Sequence, residues 1–204
     1  MTARLLPAGV LAAVLLLAGC GGGSKPAGSG PPPSRFDGIA AAGFEAPGFA
    51  LRDQHGQLVS LKDERGRFVI ITFLYVHCRD VCPVIAGQLN EALRELGPER
   101  GQVRVLAVSV DPKGDTPQAV RHFIAVHRLL PQFLYLTGSE RALKPIWAAY
   151  HIASTPTGNG LVVSHTALEL LLDRTGKPQV VYDSHVTATD VVHDLHVLGL
   201  AASA

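Results

Sequence analysis

Hydrophobic residues along the chain form two kinds of run, and each kind predicts a different element. Two short runs, Phe68 to Tyr75 and Val103 to Val110, consist mainly of β-branched, aromatic and aliphatic residues. Most of their positions are apolar, so a strand formed by either run would be apolar on both faces. Strands covered by helices on both faces of a sheet show this pattern. The pattern therefore predicts two central, buried strands.

Other apolar residues recur at helical spacing. Pro83 to Leu96 places its apolar side chains three or four positions apart and is followed by Gly-Pro, so a helix is predicted there. Asp115-Thr116-Pro117 is typical of an N-cap with proline in the first turn, which predicts a helix to about Arg128. Further helices are predicted from Ser139 to Tyr150 and from Thr189 to Gly199.

Shorter β-prone segments complete the order of elements. They predict a hairpin from Phe49 to Leu61, a strand from Phe133 to Leu136, and a second hairpin from Thr166 to Tyr182, with a loop from Thr155 to Gly160 before it. This order predicts an α/β protein with a thioredoxin-like fold, a central mixed sheet flanked by helices and an N-terminal β-hairpin extension. A flavodoxin-like sheet fits less well because the final strands pair directly.

The first 35 residues have the composition of a targeting segment and a tether. Residues 1–19 contain an apolar core from Ala8 to Ala18 and a small-residue processing site, which predicts a signal peptide. Because Cys20 follows this site directly, the segment resembles a bacterial lipobox with lipid on the Cys20 sulfur; the alternative is an ordinary signal peptide with a chance cysteine. Residues 20–35 are rich in Gly, Ser and Pro and are predicted to be a flexible tether. Residues 36–204 then form the folded domain, anchored to the cell membrane on its extracytoplasmic (periplasmic or outer) face.

Net charge and cysteine content limit the classes of function that the chain can have. The chain has 18 Lys and Arg residues against 17 Asp and Glu residues, a net charge of +1, so no basic patch for nucleic acid is indicated. Of three cysteines, Cys20 is assigned to lipid, which leaves Cys78 and Cys82 in an oxidising compartment. Thiol chemistry in the folded domain therefore depends on this pair.

Cys78 and Cys82 lie between a predicted buried strand and the helix that follows it. A helix N-terminus stabilises negative charge, so one or both thiols should have a lowered pKa. Three residues separate the cysteines, which puts them one helical turn apart, where they can bind one metal ion or form a disulfide. The thioredoxin redox motif has two intervening residues. A purely structural disulfide, or two small buried residues, are the alternatives.

A metal site needs a further ligand, and the chain offers nine histidines. His165 precedes a predicted strand, and in a thioredoxin-like fold the loop before that strand faces the N-terminus of the first helix. Two thiolates and one imidazole suit copper, whereas structural zinc prefers four protein ligands. His77 and His185 are weaker candidates, and His193 and His196 could form a surface metal site or simply a solvated helix face.

Several ordered motifs resemble one known family. They are Thr72 to Pro83, which includes both cysteines; Val108 to Pro117; Tyr150-His-Ile152; and Ser164-His165-Thr166 ahead of Leu170 to Gly176. Together they resemble the Sco/SenC copper chaperones, involved in maturing the copper centre of cytochrome oxidase, over roughly Phe44 to Leu198. The resemblance implies a thioredoxin-like fold, a membrane tether, and copper, as Cu(I) or Cu(II), bound by Cys78, Cys82 and His165.

Two positions depart from the family pattern. Arg79 stands where the family usually has proline, and Ser164 where it often has aspartate. Neither removes a ligand, and the charge of Arg79 favours thiolate. In the Val108 to Pro117 motif, turn formation and N-capping account for Asp115, while a role in the cleft stays open for Asp111.

The resemblance implies a membrane-tethered chaperone that assists assembly of the cytochrome c oxidase copper centre. Its partner would be the copper-bearing oxidase subunit or another copper protein. The alternative is a thiol-disulfide reductase in which Cys78 and Cys82 act as a catalytic redox pair, cycling through a disulfide, and keep a partner's copper-binding cysteines reduced. A thioredoxin-like peroxidase would require a dedicated peroxidatic cysteine, which the two-cysteine pattern disfavours.

Overall fold

The structure of the protein, a computed structural model, describes residues 35–156 and 162–201. The predicted signal peptide, Cys20 and the tether through residue 34 lie outside the described residues. Ten strands are present in the described part: β1 Ile39–Ala40, β2 Ala50–Arg52, β3 Leu58–Ser60, β4 Phe68–Leu74, β5 Val103–Ser109, β6 Phe133–Leu136, β7 Ser154–Pro156, β8 Val162–His165, β9 Glu169–Leu172 and β10 Pro178–Tyr182. The α-helices are α1 Val81–Glu95, α2 Pro117–Val126, α3 Glu140–Ala149 and α4 Ala188–Val197, with short 3-10 helices at Leu61–Glu64 and Gly97–Gln102.

Six strands form one mixed sheet in the order β1-β10-β9-β4-β5-β6. Strands β4, β5 and β6 run parallel, and β9, β10 and β1 add antiparallel neighbours. All seven residues of β4 are buried, as the predicted central strand requires. The thioredoxin-like arrangement predicted from the order of elements is therefore confirmed.

The N-terminal hairpin β2–β3 pairs with itself and packs against the main domain. An isolated bridge joins Arg52 to Thr137, and the Phe49 ring lies 6.1 Å from the Tyr150 ring. The Tyr150 hydroxyl donates to the Pro47 carbonyl at 2.8 Å. The predicted hairpin extension is thus part of the same core as the sheet.

Helix α1 begins at Val81, earlier than the sequence pattern predicts, and it therefore contains Cys82 in its first turn. Proline is tolerated at Pro83 because the N–H groups of the first turn have no partner within the helix. The residue before the helix, Asp80, makes no side-chain cap, so the N–H groups of this turn can reach other acceptors. This start places both cysteines at the helix N-terminus.

The chain between α3 and β9 differs from the prediction. The segment expected to be a loop from Thr155 contributes to β7, which pairs with β8 and registers Ser154 against His165. The expected strand from Thr166 begins only at Glu169. His165 is therefore the last residue of a short hairpin strand rather than part of a loop. Proline and glycine in this segment favour a turn, and a two-stranded hairpin of this length has too weak a pattern to outweigh them.

No helix within residues 35–156 and 162–201 is both long and apolar enough to cross a membrane.

Candidate metal centre

The turn between β4 and α1 carries the first cysteine. After Leu74 ends the strand, the Cys78 N–H donates to the Tyr75 carbonyl at 3.3 Å, which closes the turn. The Val76 N–H donates to the Asp115 carboxylate at 2.9 Å, so the turn is also held from the β5 side. Cys78 is half-buried and Cys82, one helical turn later, is fully buried.

The start of α1 stabilises charge on the first sulfur. The Cys82 backbone N–H donates to Cys78 Sγ across 3.4 Å, and both cysteines are free thiols. Burial alone would raise the pKa of Cys78, but hydrogen bonds from the Cys82 backbone and side chain, the Asp80 backbone and the Tyr75 hydroxyl together lower it. Cys78 is therefore the thiol that ionises first.

The second sulfur behaves differently. Burial raises the pKa of Cys82 far above its ordinary value, and the neighbouring Cys78 sulfur raises it further, while a backbone hydrogen bond at Tyr75 opposes the shift. The helix N-terminus thus lowers the pKa of only one of the two thiols. Cys82 gives up its proton when a cation or an oxidised Cys78 makes its thiolate favourable.

His165 comes to the same point from β8. Its Nε2 lies 3.5 Å from Cys82 Sγ, and its Nδ1 lies 2.7 Å from the Thr166 carbonyl oxygen. A carbonyl oxygen only accepts hydrogen bonds, so Nδ1 carries the proton and the Nε2 lone pair faces the sulfur. This is the tautomer in which a histidine binds metal, with its other nitrogen held by an outer hydrogen bond.

The environment of His165 keeps its ring neutral. Burial lowers the pKa of His165 because it disfavours the imidazolium, and the Thr166 carbonyl only partly offsets this effect. The Tyr75 ring packs edge-on against the imidazole, with 5.7 Å between ring centroids. A neutral, fixed imidazole beside a buried thiol is a donor set for a soft cation.

The three side chains are neighbours, but they do not yet enclose a common point. Their ligand atoms do not all lie within 4.8 Å of one another. Cys82 Sγ lies 3.5 Å from His165 Nε2 and is hydrogen-bonded to Cys78, so the separation above this limit is the one between the Cys78 sulfur and His165. Cys78 belongs to a half-buried turn, so adjustment to a bound ion falls on this side chain.

Asp115 has a different role from the one predicted. Thr116, not Asp115, caps α2, since its side chain accepts from the Ala119 N–H at 3.2 Å. The Asp115 carboxylate instead accepts hydrogen bonds from the Ser109 hydroxyl at 2.6 Å and the Tyr135 hydroxyl at 2.9 Å, in addition to Val76. Burial raises the pKa of Asp115 to about 6. This carboxylate ties the cysteine turn to β5 and β6.

Asp111 lies behind the same turn. It is fully buried; its Oδ1 accepts from the Gly114 N–H at 3.1 Å, and its Oδ2 has no hydrogen-bond partner among the residues that the structure describes. A Cβ on Gly114 would stand 2.3 Å from Asp111 Oδ2 and 2.9 Å from a ring carbon of His77, so only glycine fits there. Asp111 therefore lies beneath the surface, and its role in the cleft stays a prediction.

The remaining candidate histidines lie elsewhere. His77 is exposed with its ring edge toward Gly114, and the exposed His185 lies 3.2 Å from the Asp183 carboxylate. His193 and His196 do not form a site together, since His193 faces the N-terminal segment and His196 lies 3.3 Å from a Glu99 carboxylate oxygen.

Comparison with known proteins finds relatives of this chain in both sequence and fold. The SCO2-like protein of Rickettsia typhi is 25% identical over 134 residues, which cover 63% of this chain and 65% of the relative. The chain thus spans just under two thirds of that protein's length. The copper-bound ScoI of Bradyrhizobium japonicum has a TM-score of 0.66 and 29% identity, covering 78% of this chain and 99% of that one. The apo Sco1 of Thermus thermophilus has a TM-score of 0.68 and 28% identity, covering 80% and 96%.

The family model described as SCO1/SenC matches residues 40–198, which include both cysteines of the turn and His165. The match extends over every element from the second residue of β1 through α4. This protein therefore belongs to the SCO1/SenC family.

Proposed function

We propose that this protein is a copper-binding chaperone in which Cys78, Cys82 and His165 hold the ion. The observation that carries the proposal is the Nε2 lone pair of His165, fixed by the Thr166 carbonyl and 3.5 Å from Cys82 Sγ. Two sulfur ligands and one imidazole form a set that prefers copper over hard cations. Copper bound to a relative of matching fold supports the choice of metal.

Loading and release follow from the unequal thiols. Cys78, with its lowered pKa, offers a thiolate at the half-buried edge, where an incoming ion meets it first. Cys82 then loses its proton to solvent as the ion replaces it, because metal binding and deprotonation are linked. The same accessible Cys78 is where ligands of a recipient exchange onto the ion.

The recipient in this proposal is the copper-bearing subunit of cytochrome c oxidase or another copper protein, and nucleic acid is not a partner. Residues 1–19 act as a lipoprotein signal peptide, and Cys20 carries the lipid that anchors the chain to the cell membrane. Residues 20–35 tether the domain of residues 36–204 on the extracytoplasmic face. A tether of this composition lets the copper site reach a membrane-bound recipient.

A thiol-disulfide reductase is the second candidate, favoured by the pairing of an accessible, acidified Cys78 with a buried Cys82. The Cys78 thiolate attacks a partner disulfide and forms a mixed disulfide, releasing one partner thiolate. The Cys82 thiolate then attacks the Cys78 sulfur, releasing the second. The partner gains two electrons, and this chain ends with a Cys78–Cys82 disulfide.

Copper titration of the reduced and the disulfide forms tests the site. The reduced chain should bind one copper per chain tightly, measured by competition with a chromophoric Cu(I) chelator. The disulfide form, verified by mass, should bind far more weakly because disulfide sulfur is a poor ligand. Equal affinity of the two forms would show that the thiolates are not ligands.

A further inference from the structure

A second group of metal-ligating side chains lies away from the cysteines. Asp37 precedes β1, and His193 and Asp194 are neighbours on α4. One ligand atom from each of the three lies within 4.8 Å of the other two, and within residues 35–156 and 162–201 no other His, Cys, Asp or Glu trio meets this condition. None of the three belongs to the copper site proposed above.

The hydrogen bonds of His193 fix which nitrogen is free. Its Nε2 lies 3.3 Å from the Arg35 carbonyl oxygen, which can only accept, so Nε2 carries the proton. In the neutral ring the Nδ1 lone pair then faces Asp37 Oδ2, which lies 3.9 Å away, beyond hydrogen-bond distance. A backbone carbonyl on one nitrogen and a free lone pair on the other is the usual state of a metal-binding histidine.

The Asp194 carboxylate is fixed in place. Asp194 is fully buried; its Oδ2 accepts from the Gly38 N–H at 3.0 Å and the Tyr182 hydroxyl at 2.8 Å. Within residues 35–156 and 162–201, its Oδ1 accepts only from the Asp37 N–H, at 2.8 Å. Each carboxylate oxygen has two lone pairs, so Oδ1 retains one for a further partner. The buried ligand is therefore rigid and needs no rearrangement.

We propose that Asp37, His193 and Asp194 bind a divalent transition metal ion of the zinc class. Zinc binds imidazole nitrogen and carboxylate oxygen at about 2.0–2.2 Å in tetrahedral geometry, so two ligand atoms of one ion lie about 3.4 Å apart. His193 Nδ1 and Asp37 Oδ2 are 3.9 Å apart, and a small rotation of the half-exposed Asp37 side chain closes the difference. One nitrogen and two carboxylates suit Zn²⁺ and not Cu(I), which prefers thiolates. Both Asp37 and His193 are half-exposed, which leaves water free to complete the shell.

The bound ion would stabilise the N-terminal end of the domain by linking it to α4. The two residues of β1 pair with Val180 and Val181 at the sheet edge, a short contact for an entering chain. A cation bridging Asp37 to α4 adds a second attachment at the point where the preceding residues join the fold. Binding restricted to the folded state stabilises that state in proportion to the ion's occupancy.

Zinc titration of the full chain tests the proposal, with all three cysteines replaced by serine and no polyhistidine tag. Calorimetry should show one saturable Zn²⁺ equivalent of micromolar or tighter affinity, unaffected by a large excess of Ca²⁺. The same addition should raise Tm and slow amide exchange at Ile39 and Ala40. Absence of saturable binding, or binding that Ca²⁺ displaces, overturns the proposal.

Point variants locate the ion. His193→Gln and Asp37→Asn alter half-exposed side chains, so both should fold and should lose at least about tenfold in Zn²⁺ affinity. His196→Gln is the matched control. It removes an imidazole from the same helix, but this imidazole contacts Glu99 and not the Asp37–His193–Asp194 group. Equal affinity in His193→Gln and His196→Gln contradicts the assignment.

Discussion

His165 makes two contacts that fix which of its nitrogens a metal can use. Its place in the family motif can be predicted from the sequence, and so can its closeness to Cys82. The tautomer cannot be predicted, because it depends on the Thr166 carbonyl turning back onto the ring at the end of β8. The unequal thiols have the same origin: the sequence indicates a helix N-terminus, but only packing decides that Cys82 is fully buried.

Alkylation should distinguish the two thiols. At pH 7, iodoacetamide should modify Cys78 well before Cys82 in the reduced, metal-free protein, because the pKa of Cys78 is lowered and that of Cys82 raised. The alkylation rate follows the thiolate fraction and reaches a plateau above the pKa of the thiol. Because the pKa of Cys78 is lowered, its alkylation rate should reach this plateau at a lower pH than that of an ordinary thiol. Peptide mass spectrometry measures both rates, with denatured protein as the control. Equal native rates would contradict the assigned burial and hydrogen bonding.

Glu169 provides a test of pH-dependent stability. It is fully buried on β9; its Oε1 accepts from the Thr72 hydroxyl at 3.2 Å, and its Oε2 has no hydrogen-bond partner in the described part of the chain. Burial raises the pKa of Glu169 to about 8. The folded state then binds this proton more tightly than the unfolded state, so ionisation costs stability progressively as pH rises from about 4.5 to about 8.

Glu169→Gln should therefore have a higher free energy of unfolding than the parent above pH 8, by roughly 2–4 kcal/mol, and the difference should shrink toward pH 4. Urea unfolding at several pH values measures it. Glu91→Gln is the control, since Glu91 is an exposed residue of α1. A difference independent of pH would show that the pKa of Glu169 is the same in the folded and the unfolded protein, which contradicts the assigned burial.

Among the secondary-structure elements, those with long, strong patterns were predictable and the short ones were not. The buried strands β4 and β5 and all four helices follow from apolar runs and capping residues. The two-residue β1 and the β7–β8 hairpin do not, because tertiary contacts hold them and their own residues carry little pattern. Asp115 shows the same limit: Thr116 performs the capping role, and Asp115 is turned inward by Ser109 and Tyr135.

Two glycine substitutions of opposite sign test the close packing behind the cysteine turn. Gly114→Ala places a methyl against Asp111 and His77, so it should destabilise the protein by about 1–3 kcal/mol. Gly87→Ala is the matched change within α1, where nothing lies within 4 Å, and it should stabilise by about 0.5–1 kcal/mol. Thermal unfolding measures both. If Gly114→Ala is neutral, the turn is looser than this geometry requires.

For the molecule as a whole, the order of elements was enough to predict the sheet, and with it the end of the sheet where the candidate site lies. Parallel strands β4 and β5 direct their carboxyl ends to one edge, where α1 begins. The antiparallel β9 then returns the chain so that the preceding β8 brings His165 to that edge from 83 residues beyond Cys82. The separation is long in sequence and short in space because of this topology. The Asp37–His193–Asp194 group could not be predicted in the same way, because Asp37 lies far from His193 and Asp194 in the sequence and no recognisable motif includes both.

The most direct measurement is the Cu(I) affinity of His165→Ala beside its disulfide-exchange rate. Mutating a residue that hydrogen-bonds to a metal ligand lowers metal affinity about 10–100-fold, so removing the ligand itself should lower it at least about 100-fold. Exchange with a small disulfide, which needs only Cys78 and Cys82, should stay within a few-fold of the parent. His55→Ala, at an exposed residue of the β2–β3 turn, is the control for loss of a histidine. Weakened copper binding with intact exchange is the predicted result, and unchanged copper affinity in His165→Ala would contradict the copper-chaperone account.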